Sequence, residues 1–295
     1  MISLFIVDRF IGKIGDYSMT RLPNYSGQLA KCNFNMNRLK TDIVLLGSSR
    51  CSHHYVTMML QDSINNYVGG GTYSLYNGGI EGRYVNYNCC TAESIMERFS
   101  PRMIIFEVSE SELTRLYNLS DMDLLLPLYT ANRYVKQYMD ALGWKKKVKC
   151  ESNLYRYNQI LLRIASSFFA SADSTGYEPL YKEMTVIPEF HAEASTHDLN
   201  DYSTNNLSRV MEKAQEKGIQ MIVVSSPRFM PSSDNRRLAD FCAKYEVPYI
   251  DLYNLELFNS HPEYFQDQGH LNDKGAHIYS SIFFEHLKPY LYKFN

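Results

Sequence analysis

The stretch Asp42-Ile43-Val44-Leu45-Leu46-Gly47-Ser48-Ser49-Arg50-Cys51-Ser52-His53-His54 changes character at its midpoint. Ile43–Leu46 is an apolar run with two β-branched residues, too short for a helix and closed by a turn signal, and it predicts a buried strand. In an open parallel sheet the polar end of such a strand is where ligands bind. A serine at that place sits on a sharp turn, and the following helix points its N-terminal N–H groups at whatever the serine attacks. The same pattern also fits a plain strand, turn and helix start, with serine used only for capping.

Outward from this stretch the pattern repeats. Short apolar runs at 72–76, 103–108, 219–224 and 247–252 predict four more strands. Between them, Val56, Met59 and Leu60 mark one helix face, and Val85, Cys89, Ala92, Met96 and Phe99 mark another. Leu207, Val210, Met211 and Ala214 form a further face that Gly218 closes, and a helix is expected around Arg236–Lys244. Strands alternating with helices argue for a parallel, doubly wound sheet. Residues 109–203 break this rhythm with helical patterns and little else. An insertion of that size in an α/β domain is expected to form a cap or rim over a site. Its Lys145-Lys146-Lys147 run reads as a solvated helix end. Residues 13–41 contain Pro23 and Gly27 and read as an irregular lead-in. The apolar start, Met1 to Gly12, is broken by Asp8 and Arg9. It is too short to span a bilayer and lacks the basic start and cleavage site of a signal peptide. It fits either the stub of a membrane anchor or an amphipathic segment packed against the domain.

Near the C-terminus, Asp267-Gln268-Gly269-His270-Leu271-Asn272 places an Asp and a His on one turn. Ala276, Tyr279, Phe283 and Leu287 then recur at helical spacing. A nucleophilic serine needs a base, and the base an orienting carboxylate. Gly47-Ser48-Ser49, Asn77-Gly78-Gly79-Ile80-Glu81-Gly82 and Asp267-x-x-His270 resemble the first, second and fifth blocks of the SGNH/GDSL hydrolase superfamily. The resemblance covers the chain from about Asp42 onward, apart from the insertion. It implies a three-layer α/β/α domain over 42–295, with a flavodoxin-like five-stranded parallel sheet and a helical insertion at about 109–203. It implies Ser49 as nucleophile, His270 as base and Asp267 as its orienting carboxylate. The oxyanion hole would use the N–H groups of Ser49 and Gly82. Ser111 falls near the place of the family's asparagine, which this chain lacks, and Ser48 stands where the family carries Asp. Asn77 and Arg50 are candidate substrate-binding residues. Arg50 could bind a carboxylate or phosphate, or pair with Glu81 or Glu107.

The activity so implied is that of a serine esterase removing small O-acyl groups, acetyl-like, from a carbohydrate or envelope glycan. The alternatives are an O-acyltransferase acting on a glycan and a noncatalytic envelope binding protein. Envelope-associated relatives point to an extracytoplasmic location, with possible anchoring through a segment before residue 1.

Composition narrows the classes. Of 295 residues, 45% are hydrophobic, enough for a normal core. A net charge of −2 gives no electrostatic case for nucleic acid. The 24 tyrosines against 1 tryptophan suit an amphipathic or carbohydrate ligand. The 6 cysteines form no C-x-x-C pair, and His53 and His54 lack a third ligand at metal spacing, so no metal or cofactor is expected. No Lys-Ser/Thr phosphate loop follows the first strand, and the G-x-S-x-G elbow fails at Cys51.

Overall fold

A computed structural model describes residues 2–22, 27–69, 71–114, 119–158, 160–169, 175–187, 198–231 and 234–294. The chain opens with α1 (Ile2–Met19) and α2 (Gly27–Asn37), followed by β1 (Ile43–Leu46), α3 (Ser49–His54), α4 (Thr57–Val68), β2 (Leu75–Asn77) and α5 (Val85–Arg98). Then come β3 (Met103–Glu107), α6 (Glu110–Thr114), a 3₁₀ stretch (Leu119–Leu128), α7 (Arg133–Ala141), α8 (Trp144–Cys150), α9 (Asn153–Tyr157) and α10 (Ile160–Ser167). The C-terminal part holds α11 (Asp201–Glu216), β4 (Gln220–Ser225), α12 (Arg236–Lys244), β5 (Tyr249–Asp251), α13 (Glu256–Asn259), β6 (Phe265–Asp267), β7 (His270–Leu271) and α14 (Asp273–Leu287). Compactness divides the chain into two units. One holds Met1–Leu39, Cys90–Arg98 and Tyr117–Ser174; the other holds Lys40–Cys89, Phe99–Leu116 and Thr175–Asn295.

The second unit carries the sheet. Its five strands are all parallel and run in the order β2-β1-β3-β4-β5. Ile43 lies beside Leu75 on one side and Met103 on the other. This is the flavodoxin-like order, and the expected fold class holds. Every residue of β1, β3 and β4 is buried, as parallel strands covered on both faces require. The strand order reverses between β1 and β3, and the crevice beyond their carboxyl ends is where such folds bind ligands. The strand expected at 72–76 starts later, at Leu75. Two side chains cause the delay: Asn65 Oδ1 takes the Tyr73 N–H at 2.7 Å, and Asp42 Oδ2 takes the Ser74 N–H at 2.9 Å.

The Ala276, Tyr279, Phe283, Leu287 face of α14 is buried against Ile43, Leu45, Tyr55 and Phe265. Asn272 starts that helix by accepting the Gly275 N–H at 3.0 Å. A strap, residues 175–187, runs between the site-bearing elements on backbone bonds. The Asn77 N–H donates to Thr175 O, the Glu178 N–H to Ser52 O and the Asp273 N–H to Leu180 O.

The first unit is helical among its described residues. Of the lead-in read as irregular, residues 13–19 belong to α1 and 27–37 form α2, while Pro23 lies outside the described residues. Asp8, which interrupts the apolar start, caps α9, accepting from Ser152 Oγ and Asn153 Nδ2 at 2.8 Å and from the Leu154 N–H at 2.9 Å. Leu4, Phe5, Ile6, Val7, Phe10 and Ile14 of the same helix are exposed. No helix among the described residues is long and apolar enough to cross a membrane.

Candidate active site

β1 ends at Leu46, and the chain turns through Gly47 and Ser48 into α3, whose first residue is Ser49. Gly47 admits no side chain, because a Cβ would lie 2.7 Å from the Cβ atoms of Cys51 and Glu107. The turn is therefore pressed against both the helix it starts and the end of β3. Ser48 makes no side-chain capping bond, so the reading of serine as a mere cap does not fit this turn.

The partners arrive on the hairpin of β6 and β7. Asp267 and His270 are cross-strand neighbours in it, joined through Gln268 and Gly269. His270 Nδ1 lies 2.8 Å from Asp267 Oδ1 and 3.0 Å from Oδ2, and His270 Nε2 lies 2.7 Å from Ser49 Oγ. Three residues spread over the chain are thus linked in one line of hydrogen bonds. A carboxylate can only accept, so Nδ1 carries the proton and Nε2 is free to accept from Ser49. Burial alone would raise the Asp267 carboxyl, but its bonds from His270 and the Gly269 N–H outweigh this and hold it below the usual range.

Other predicted residues fall elsewhere. Arg50 is buried, with a guanidinium nitrogen 3.1 Å from Glu112 and 3.6 Å from Glu107. It does not reach outward as a substrate clamp, and the ion-pair reading applies, with Glu112 rather than Glu81 beside Glu107. Asn77 is also buried. Its Nδ2 donates to Cys51 O at 2.6 Å and its Oδ1 accepts the Gly79 N–H at 3.0 Å, so its side chain holds two loops together instead of facing a substrate. Gly82 has φ +67°, a conformation that favours glycine, with open space where a Cβ would go. Gly79 is the tighter residue: a Cβ there would lie 2.7 Å from Cys51 Cβ and from the Ser52 nitrogen, on the helix that starts at Ser49. Ser111, on α6, pairs its hydroxyl with Ser109 Oγ at 3.0 Å. Among the described residues no hydrogen bond joins Gly82 or Ser111 to Ser49 or His270.

His53 and His54, which lack a third ligand at metal spacing, lie near His270. His53 meets the His270 ring edge-on at 5.7 Å between centroids, and its Nδ1 lies 2.6 Å from Glu178 O on the strap. Burial lowers its pKa against that bond. His54 lies deeper, beside Ser226 and Glu107. Glu107 accepts from Tyr55, from both the N–H and the hydroxyl of Ser226, and faces Arg50. The sequence offered no signal for Ser226 beyond its place after β4. Among the described residues no group of three potential ligands could hold a metal ion.

A flavodoxin-like sheet with a serine after β1 and an Asp-x-x-His hairpin before the last helix matches the resemblance read in the sequence. The chain is similar to the SGNH/GDSL hydrolases. Similar solved structures include a psychrotrophic esterase from Pseudoalteromonas sp. (11% identity, 85% of this chain and 98% of that chain, TM-score 0.45). A lipase/acylhydrolase from Enterococcus faecalis is another (12% identity, 85% and 96%, TM-score 0.42). So is a GDSL-like lipase from Bacteroides thetaiotaomicron (11% identity, 88% and 98%, TM-score 0.39). No protein-family model matches the chain, and no curated protein matches it.

Proposed function

We propose that the chain is a serine ester hydrolase. The supporting observation is the unbroken line Ser49 Oγ, His270 Nε2, His270 Nδ1, Asp267, with separations of 2.7 and 2.8 Å. His270 takes the proton of Ser49 as its oxygen attacks the ester carbonyl, and Asp267 holds the imidazole tautomer and stabilises the cation. The proton then passes to the leaving alcohol, which leaves an acyl group on Ser49. Water, deprotonated by the same imidazole, removes that group. The Ser49 N–H is the first oxyanion donor in this reading; Gly82 and Ser111 are candidates for the others.

The substrate we assign is a small O-acyl group on a carbohydrate, a choice that rests on the family resemblance. A place at an envelope membrane surface is part of the same proposal. It is supported by the exposed apolar side chains of α1 and by Lys145, Lys147 and Lys149 on α8, a basic stretch suited to anionic lipid.

The test is covalent. A fluorophosphonate probe is expected to add one adduct, located at Ser49 by mass spectrometry, and Ser49→Ala is expected to lose both the adduct and turnover of p-nitrophenyl acetate. Unchanged turnover in Ser49→Ala would refute the assignment. Release of acetate from an O-acetylated oligosaccharide, against none from a long-chain acyl ester, tests the substrate class.

A further inference from the structure

His54 closes α3, the helix that Ser49 opens, and is fully buried. Its Nε2 accepts the Leu271 N–H at 3.0 Å. An amide N–H can only donate, so the ring proton sits on Nδ1. Nδ1 then donates to Ser226 Oγ at 2.8 Å, and Ser226 Oγ donates to Glu107 Oε1 at 2.9 Å. Every bond in this chain has one direction, and each follows from the one before. Burial, followed by the nearby His270, Arg50 and His53, pulls the ring well below the usual imidazole pKa, which keeps it neutral. The Tyr279 ring packs edge-on against it at 6.1 Å.

Leu271 follows His270 on β7. One imidazole therefore ties the strand of the base to the helix of the nucleophile, and the far end of the tie is anchored at the end of β3. We propose that His54 is a positioning residue, which sets the Ser49–His270 separation by docking the β7 backbone onto α3. Its kinetic readout rests on the esterase reading above; its structural readout does not. A misplacement of about 1 Å in a reacting pair can cost about 100-fold in rate.

The experiment compares wild type with His54→Leu, His54→Gln and Tyr279→Phe, each checked for folding by thermal unfolding. Leucine offers neither acceptor nor donor. Glutamine offers both, an oxygen for the Leu271 N–H and an amide N–H for Ser226. Tyr279→Phe removes the hydroxyl that donates to Tyr55 at 3.1 Å and leaves the tie intact. We expect kcat on p-nitrophenyl acetate to fall about 100-fold in His54→Leu, with KM changed by less than about threefold. His54→Gln should stay within about tenfold of wild type, and Tyr279→Phe should lower Tm without lowering kcat at 25 °C. Nitrogen-15 spectra of labelled histidine should show His54 protonated at Nδ1 in wild type, and a displaced His270 signal in His54→Leu but not in Tyr279→Phe. A wild-type kcat in His54→Leu, a His54→Gln as slow as His54→Leu, or a wild-type His54 protonated at Nε2 would each overturn the proposal. If wild type neither binds the probe nor turns over ester, the esterase reading fails alone, and the histidine spectra still decide the role of His54.

Discussion

Arg50 brings one positive charge into the interior and meets two carboxylates there, Glu107 and Glu112. One cation balances one anion. The second carboxylate is therefore most stable neutral, and burial pushes Glu112 up to about 7 despite the opposing pull of Arg50. Its Oε2 is buried without a hydrogen-bond partner. The folded state holds this proton between the ordinary carboxylate range and about 7, where the unfolded chain has released it, so the group's stabilising contribution is complete in acid and fades as pH rises through that window. Glu112→Gln copies the neutral form and keeps an acceptor for Arg50. It is expected to raise Tm by about 2–8 °C at pH 8, with a much smaller effect at pH 5, as measured by calorimetry at both values. Asp267 has the opposite sign. Its lowered pKa stabilises the fold above the normal carboxylate range and is lost in acid. Ser111→Asn tests the missing oxyanion donor: if position 111 points into the site, turnover on a p-nitrophenyl ester rises, while the Ser49 adduct forms as before. The Ser49–Asp267–His270 group was legible in the sequence because its chemistry restricts the residue types and their turns. Arg50 stayed open between a ligand and an ion pair with Glu81 or Glu107, and Asn77 read as substrate-binding, because a charged or amide side chain beside Ser49 reads the same whether it faces a ligand or a buried partner. Only the third dimension supplies Glu112 and the Cys51 carbonyl.

At the scale of elements, Gly79 and Gly82 of the second block make opposite demands. Gly79 is confined by α3, and Gly79→Ala should cost about 1–3 kcal/mol through overpacking and slow turnover by shifting the helix of Ser49. Gly82→Ala meets open space and pays only for its left-handed φ, about 1 kcal/mol. Chemical denaturation of both variants, with kcat measured alongside, separates the two effects: only the first should lose rate. Strands and the C-terminal helix were legible because a β-branched run closed by a turn, or a four-residue apolar face, has few other solutions. The lead-in was not. Gly27, read there as a break, opens α2, and Gly12 and Gly15 lie inside α1, where a Cβ would collide with the side chains of Asn153 and Tyr157 on α9. Their small size serves close packing of two helices, and sequence alone does not distinguish that use from a loop.

For the whole molecule, the first unit carries most of the exposed large apolar side chains, and Ser49, Asp267 and His270 all belong to the second. Seven large apolar or aromatic side chains of α1, from Leu4 to Tyr17, stand open, as do Trp144 of α8 and Leu162 of α10. The protein is expected to sediment with vesicles of mixed zwitterionic and anionic lipid and to be released by high salt and by replacing Phe5, Ile6 and Phe10 with serine. Those replacements should leave Tm unchanged, since the side chains are already in water. Sedimentation equal to that of wild type would remove the membrane part of the proposal. The Ser49–His270 bond has a further consequence in time. Its partners lie 221 residues apart, and a ribosome adding about 5–20 residues per second delivers His270 roughly 10–45 s after Ser49. Throughout that interval the nascent chain carries Ser49 without His270, so the pair cannot form until residue 270 has been added.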